Sequence, residues 1–565
     1  MSSETFKSIF NKLDKSLIPH DKFYSAHRVS GNFELLEEHA ELCSDYFLHI
    51  IDELGLEPIL DKLISDLFGE KRLNESKQII LYAIYYHDLG KINPKFQSVK
   101  VNGKKDSGNT THSFFSEWIL GAFIKTDFIE SDYITYIIGN IIRNHHGRLG
   151  DFTIKDYLED KEQREIINQI LHVVHVEDQL LSEDTKREFF RNDFDWPKLF
   201  LFIKLLYSLL VLSDSYSTMH YSNSFDTMYP LNSIDKNIRE KMLMSYSKIS
   251  YNSNLDQTES KDISFCDNVN EIRKEILVEC NRNMKTLLNN GEKIFMLAVP
   301  TGGGKTNISM KLALNILEYD EKVKRLFYVF PFINIIEQNY GVIEKTLFDE
   351  NLFSQKTGLV SDIYSRAYVN KFQDRSDDSI SSIEKQMVVK NDNFLNNCVN
   401  VITNVNFFNS IIKNGGDNRY KITYLCNSIV VIDEIQTLSD ENIRVFYDFI
   451  KETSRNLNIY YIIMSATLPN FNDFIDDVEI PHIIKSPGKY FTHPVFKRNE
   501  IIFKKDVVDI DGIKGILTKE INENYQSGRV KILVTLNVVN TSRKVYEELK
   551  SDNTFDDFHI YLLNS

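Results

Sequence analysis

Cysteine is scarce in this chain, long apolar runs are scarcer, and positive charge does not dominate it. Cys43, Cys266, Cys280, Cys398 and Cys426 are scattered through 565 residues. They form no paired framework and no Cys-x-x-Cys, which excludes a disulfide scaffold and a thiolate zinc clamp and fits a reduced, cytoplasmic setting. The start MSSETFKSIF has no apolar stretch behind positive charge, so no secretory signal is expected. The most apolar run, Leu199 to Leu212, has only fourteen residues and contains Lys204. A membrane span needs about twenty. The run reads instead as a core helix, started by Asp195 and Pro197, that aims Asp214 at a site, and no membrane partner is expected. A formal net charge of −15 excludes a generally adhesive nucleic-acid binder, because nonspecific affinity comes largely from phosphate neutralisation. Any strand path has to be a local basic groove.

What the chain does have is a phosphate loop. VPTGGGKT, Val299 to Thr306, lies between the apolar run Ile294–Val299 and the helical pattern Ile308–Leu317, although Val299 stands where the strict pattern has glycine. With Thr301 opening the turn, Gly302, Gly303 and Gly304 let backbone N–H groups face phosphate oxygens. Lys305 then meets the β and γ charges, and Thr306 holds Mg²⁺. SIVVIDEIQ, Ser428 to Gln436, delivers Asp433 and Glu434 at the end of a strand pattern. Asp433 suits water-mediated Mg²⁺ binding and Glu434 suits orientation of an attacking water, since phosphoryl transfer rests on positioning and electrostatics. IIMSATLP ends another buried-strand pattern in Ser465 and Thr467, and LFYVFPFINIIEQ closes a strand at Pro331.

The amino-terminal third carries a second chemistry. Eleven of the fourteen histidines precede residue 221. Helical apolar patterns carry His39, the pair His87 and Asp88 in YYHDLGK, His145 and His146 in RNHHG, and Asp214, while His112 opens a further helix. Imidazoles and carboxylates without thiolate suit Fe, Mn, Co, Ni or Zn rather than a structural zinc clamp. Lys91, in HDLGK, reads either as a neutraliser of a phosphate oxygen or as a solvent-facing lysine.

VPTGGGKT, PFINIIEQ, DEIQ and SAT resemble motifs I, Ia, II and III of superfamily 2 helicases. Gln436 stands where many relatives have His or Asp, and Thr403 in VNVITNVNFF is similar to a strand-contacting position, with a buried strand as the alternative. The order His, His-Asp, His, His-His, Asp resembles the HD phosphohydrolases. Fused in this order, the two halves resemble the CRISPR-associated helicase-nuclease of type I interference systems. That resemblance implies a cytoplasmic antiviral enzyme in which ATP and Mg²⁺ drive a helicase that hauls single-stranded DNA to an HD nuclease, after recruitment by an RNA-guided surveillance complex. It further implies that His39, His87, Asp88 and Asp214 hold one metal, that Asp88, His112, His145 and His146 hold the other, and that Asp88 bridges them.

The expected architecture is all-α followed by α/β: an HD domain at 1–245, a connector at 246–268, a first RecA-like domain at 269–490 and the start of a second at 491–565. A helix is expected over Val269–Leu288, an insertion or loop over Ser361–Asn397, and a strand at Val530–Leu536 before a helix at Asn540–Leu549. The chain stops at YLLNS, before the motifs whose arginines close the ATP site in such helicases. Loss of comparable arginine contacts slows phosphoryl transfer by about 10³ to 10⁵. The expectation is an intact HD site and retained nucleotide binding, with impaired ATP hydrolysis and poor unwinding. Two other readings stay open: an HD nucleotide phosphohydrolase regulated by the P-loop domain, and a nucleic-acid-binding fragment without turnover.

Overall fold

A computed structural model describes residues 3–19, 23–29, 31–105, 110–127, 132–152, 161–178, 181–353, 359–363, 382–437, 440–465, 480–497, 509–524, 532–536, 538–555 and 558–562. The chain divides into one unit from Met1 to Phe496 and a smaller one from Lys497 to Ser565.

Helices fill the first part of the larger unit, beside a hairpin of β1 (Ser25–Val29) and β2 (Asn32–Leu35). Their apolar positions recur at helical spacing: Cys43, Tyr46, Phe47, Ile50 and Leu54 are all buried on helix Leu36–Leu54. Helix Trp196–Asn223 is twice the length of its apolar run, because Ser213, Tyr216 and Ser217 stay buried beyond it. Asp195 caps it, accepting from Lys198 N at 3.1 Å. By length and composition it is the one helix among the described residues that could cross a membrane, yet most of it lies inside the fold.

The second part is a parallel sheet of β3 (Ile294–Ala298), β4 (Arg325–Phe330), β5 (Val360–Ile363), β6 (Val399–Thr403), β7 (Ser428–Asp433) and β8 (Ile459–Ser465), in the order β3-β8-β7-β4-β6-β5. Near-continuous apolar runs form β3, β4, β7 and β8, whose two faces are both covered. Alternation divides them between two cores: Phe295 and Leu297 join Ile308, Leu312 and Ile276 on one face, while Met296, Val430 and Ile463 join the HD-side helices on the other. Tyr216 and Tyr424 share a hydroxyl hydrogen bond of 2.5 Å across that second core, and Asn427 Nδ2 donates to Leu54 O at 2.8 Å.

Helix Val269–Asn289 forms as expected. Helix Lys236–Lys248, placed on the HD side by sequence, buries Met242 and Tyr246 in the sheet's other core. The Ser361–Asn397 stretch is not simply a loop: it holds the end of edge strand β5 and helix Ser382–Phe394, while residues 364–381 lie outside the described ones. The smaller unit packs Leu517 of helix Ile510–Asn524 with Val545 and Leu549 of helix Val539–Lys550. Residues 532–536 are not in a strand. A strand requires a hydrogen-bonded neighbour, and this unit has none among its described residues.

Candidate active sites

Every HD-site residue expected from sequence converges on Asp88, which follows helix Leu73–Tyr86 in a tight turn. Its two oxygens face different ligand sets. Oδ2 lies 3.4 Å from His39 Nε2 and 3.5 Å from His87 Nε2. Oδ1 lies 3.1 Å from His112 Nε2, 3.4 Å from His145 Nε2 and 4.0 Å from His146 Nε2. Asp214, midway along the 196–223 helix, places Oδ1 3.4 Å from His39 Nε2 and 3.8 Å from His87 Nε2.

Three imidazoles are locked by their other nitrogen: His39 Nδ1 by Glu34 at 3.3 Å, His87 Nδ1 by Ile84 O at 2.9 Å and His145 Nδ1 by Ile142 O at 2.6 Å. This is how metal-binding histidines are oriented. The Nε2 atoms of His39, His87 and His145 are buried without a hydrogen-bond partner. Orphaned buried nitrogens around carboxylates are costly unless a cation completes them, and the N and O donor set fits divalent transition ions. Burial opposes charge on Asp88, but Lys91, His87 and His112 outweigh it and hold its carboxyl well below the usual range. Burial likewise opposes charge on His39, and Asp214, Asp88 and Glu34 outweigh it and raise its pKa.

Among the described residues three groups of potential ligands come together: Asp88, His112, His145 and His146; His27 of β1 with His39, Asp88 and Asp214; and His87 with His145 and Asp214. Sequence reasoning missed His27 and Glu34. Lys91 is not solvent-facing: it is buried, 2.6 Å from Asp88 Oδ2 and 3.3 Å from His27 Nε2, so its charge is spent on the carboxylate between the ligand sets.

At the carboxyl ends of the strands, neighbouring β3, β8 and β7 place the phosphate loop, Ser465 and Asp433 side by side. Thr301 is exposed at the loop tip. Gly302 and Gly304 have φ of 82° and 93°, where a side chain would be strained. A Cβ on Gly303 would come within 2.5 Å of the Val299 side chain. Lys305 Nζ lies 2.7 Å from Glu434 Oε1 and 3.9 Å from Asp433 Oδ1, and Thr306 Oγ1 donates to Asn339 Oδ1 at 3.0 Å. Gln436 donates to Glu434 and accepts from Ser465, linking the DEIQ and SAT segments. Glu434 itself has φ of 54°, an uncommon conformation of the sort concentrated at functional sites. The adjacent acids are pushed apart: burial raises Asp433, whereas on Glu434 the effect of burial is outweighed by Lys305 and Gln436, which lower it. Thr403 ends β6 partly exposed, and its hydroxyl caps helix Asn404–Ile412 by accepting from Asn406 N at 3.3 Å. Thr467 lies outside the described residues.

Residues 37–214 match the family described as "Cas3, HD domain", and residues 281–474 match the DEAD/DEAH box helicase family. A putative CRISPR-associated nuclease/helicase Cas3 of Methanocaldococcus jannaschii is 23% identical over 276 residues, covering 47% of this chain and 35% of that relative. The crystal structure of T. fusca Cas3 superposes with a TM-score of 0.53 at 15% identity, over 88% of this chain and 53% of that one. Its ADP form gives 0.52 at 14% identity, over 88% and 54%. The chain thus spans about a third of that curated relative and about half of those solved structures. An HD domain of the Cas3 family at residues 37–214, followed by a DEAD/DEAH box helicase domain at 281–474, supports a Cas3-type helicase-nuclease.

Proposed function

We propose that the HD part is a two-metal phosphodiesterase that cuts single-stranded DNA, and that the sheet domain uses ATP and Mg²⁺ to feed it, in CRISPR antiviral defence after recruitment by an RNA-guided complex. The observation that carries this reading is the division of Asp88, with one oxygen toward His39 and His87 and the other toward His112, His145 and His146. A pair of Fe, Mn, Co or Ni ions there would supply positive charge to both the attacking and the leaving oxygen of an in-line displacement. His39, His87 and Asp214 would hold one ion and His112, His145 and His146 the other, with an oxygen of Asp88 facing each set. Lys91 keeps Asp88 ionised through their 2.6 Å ion pair. Hydrolysis would join a water oxygen to phosphorus as the opposite P–O bond breaks, the water's proton passing to solvent and the leaving oxygen taking one up.

In the sheet domain, Thr301 to Gly304 would cradle the phosphates, Lys305 would meet their charge, and Thr306 and Asp433 would hold Mg²⁺, which would supply positive charge to the reacting phosphate. Glu434 orients the attacking water, and Gln436, Ser465 and Thr467 relay the nucleotide state. Cys43, Cys266, Cys280, Cys398 and Cys426 are all free, which supports work in the cytoplasm.

The test is circular single-stranded DNA with metal-reconstituted protein, with and without ATP, beside Asp88→Ala. Metal-dependent nicking without ATP that disappears in Asp88→Ala is the expected result. No cutting by metal-loaded protein would sink the nuclease reading and favour a nucleotide substrate for the HD site.

A further inference from the structure

The second metal position is built partly by the sheet domain. His145 and His146 follow helix Asp132–Asn144, so their turn carries carbonyls that no helical N–H satisfies. Tyr207 of the Asp214 helix donates its hydroxyl to Gly147 O at 2.9 Å and Asn144 O at 3.3 Å. Further support comes from residues 413–419, which follow helix Asn404–Ile412 on the sheet side. Leu149 N donates to Asn414 O at 3.1 Å. Arg419 Nη1 reaches Gly147 O at 3.4 Å and His145 O at 3.5 Å. Its guanidinium stands over the Tyr420 ring, 4.8 Å from the centroid. Lys204 Nζ donates to Lys413 O at 2.6 Å and to Asn414 Oδ1 at 3.2 Å, joining the loop to the Asp214 helix. A Cβ on Gly415 would lie 3.3 Å from the Arg148 side chain, so the loop backbone runs directly against the turn.

His146 is the ligand most sensitive to this support. Its side chain is 46% exposed, against 0% for His145, so packing does not fix it. The protein bonds that lock Nδ1 of His39, His87 and His145 have no counterpart at His146 among the described contacts. Its position follows the backbone of the turn. The far end of the same support, helix Asn404–Ile412, starts at Thr403 on the carboxyl edge of the sheet.

We propose that Arg419 is a positioning residue for the second metal position, so that occupancy at Asp88, His112, His145 and His146 is set from the helicase side through residues 413–419. This rests on the two-metal reading of the HD site. Displacement of the Asn404–Ile412 helix at the sheet edge would pull on the loop, the turn and His146 in succession, while the Glu34-locked His39 position stays in place.

The test is a Mn²⁺ titration of the full chain followed by electron paramagnetic resonance, with Arg419→Ala, Arg419→Lys and His146→Ala beside the parent. In Arg419→Ala, affinity for the second ion falls about 10- to 100-fold, as for other supports of metal ligands, affinity for the first is unchanged, and Arg419→Lys recovers part of the loss. Parent-like affinity for both ions in Arg419→Ala overturns the proposal. Should Arg419→Ala fail to fold, Arg419→Gln, which keeps a donor and much of the packing on Tyr420, is read by the same criterion. His146→Ala separates the two readings: two ions at parent affinity there mean that the two-metal site itself is wrong, whatever Arg419 shows.

Discussion

His112 Nε2 and His146 Nε2 face each other at 2.6 Å beside Asp88 Oδ1. Two imidazole nitrogens this close need a cation or a shared proton between them, and desolvation of the ring edge that faces the ligand cluster, with His145 next, lowers the His146 pKa although its other edge is exposed. A divalent ion is the natural occupant. Mn²⁺ at about 100 times its dissociation constant should therefore stabilise the fold by about 2.7 kcal/mol. Thermal unfolding with Mn²⁺ and with chelator measures the shift; an unchanged midpoint, or an undiminished shift in Asp88→Asn, would count against the site.

Gly90 offers a backbone test of the same site. A Cβ there would come within 2.1 Å of His112 O and 2.8 Å of Ser116 N. Ser116 accepts from Gly90 N at 2.8 Å, so the HDLGK turn and the His112 segment touch with no room between them. Gly90→Ala should destabilise the HD part by at least about 3 kcal/mol, at the upper end for overpacking. It should also weaken metal binding by displacing His112. Parent-like melting and metal affinity would contradict this packing.

The ion pair of Lys305 with Glu434 predicts a split between binding and hydrolysis. Nucleotide phosphates compete with Glu434 for Lys305, so Glu434→Gln should bind ATP at least as tightly as the parent, while Lys305→Ala should lose about tenfold or more, the worth of one charge-assisted contact. Calorimetric titration with Mg·ATP and with a nonhydrolysable analogue tests both. Weaker binding in Glu434→Gln than in Lys305→Ala would reverse the assignment.

These sites were legible in sequence to different degrees, for physical reasons. Metal and phosphate chemistry admits few residue types, so His39, Asp88, His112, His145, His146, Lys305 and Asp433 stood out. The sheet was legible because strands buried on both faces read as unbroken apolar runs. His27 was not, since a lone histidine in SAHRV carries no periodic signal, and only the β1–β2 hairpin brings it near His39, with ring centroids 4.9 Å apart. The burial of Lys91 was not legible for a related reason. Local pattern shows the i, i+3 spacing to Asp88 but not the burial that makes the pair an enclosed one. Arg419 and the Asp132–Asn144 ligand turn are more than 270 residues apart, a separation over which single-sequence periodicity is silent.

Lys204 gives the pH dependence. It is buried on the 196–223 helix, bonded to Lys413 O and Asn414 Oδ1, and burial lowers its pKa to about 7. The unfolded value is about 10.4. Between these two values the unfolded chain takes up a proton that the folded chain does not, so stability rises with pH from about 7 to about 10 and is lost as pH falls through that window. The full swing is of the order of 5 kcal/mol. Lys204→Met removes the titration along with two hydrogen bonds whose contribution changes little with pH. The parent should therefore gain on the variant as pH rises, because only the parent is relieved of a buried charge. Melting temperatures of both at pH 7, 8 and 9.5 decide it: a parent-minus-variant difference that stays flat would mean that Lys204 keeps its proton, and that the loop carbonyl and Asn414 stabilise an ammonium inside the interface.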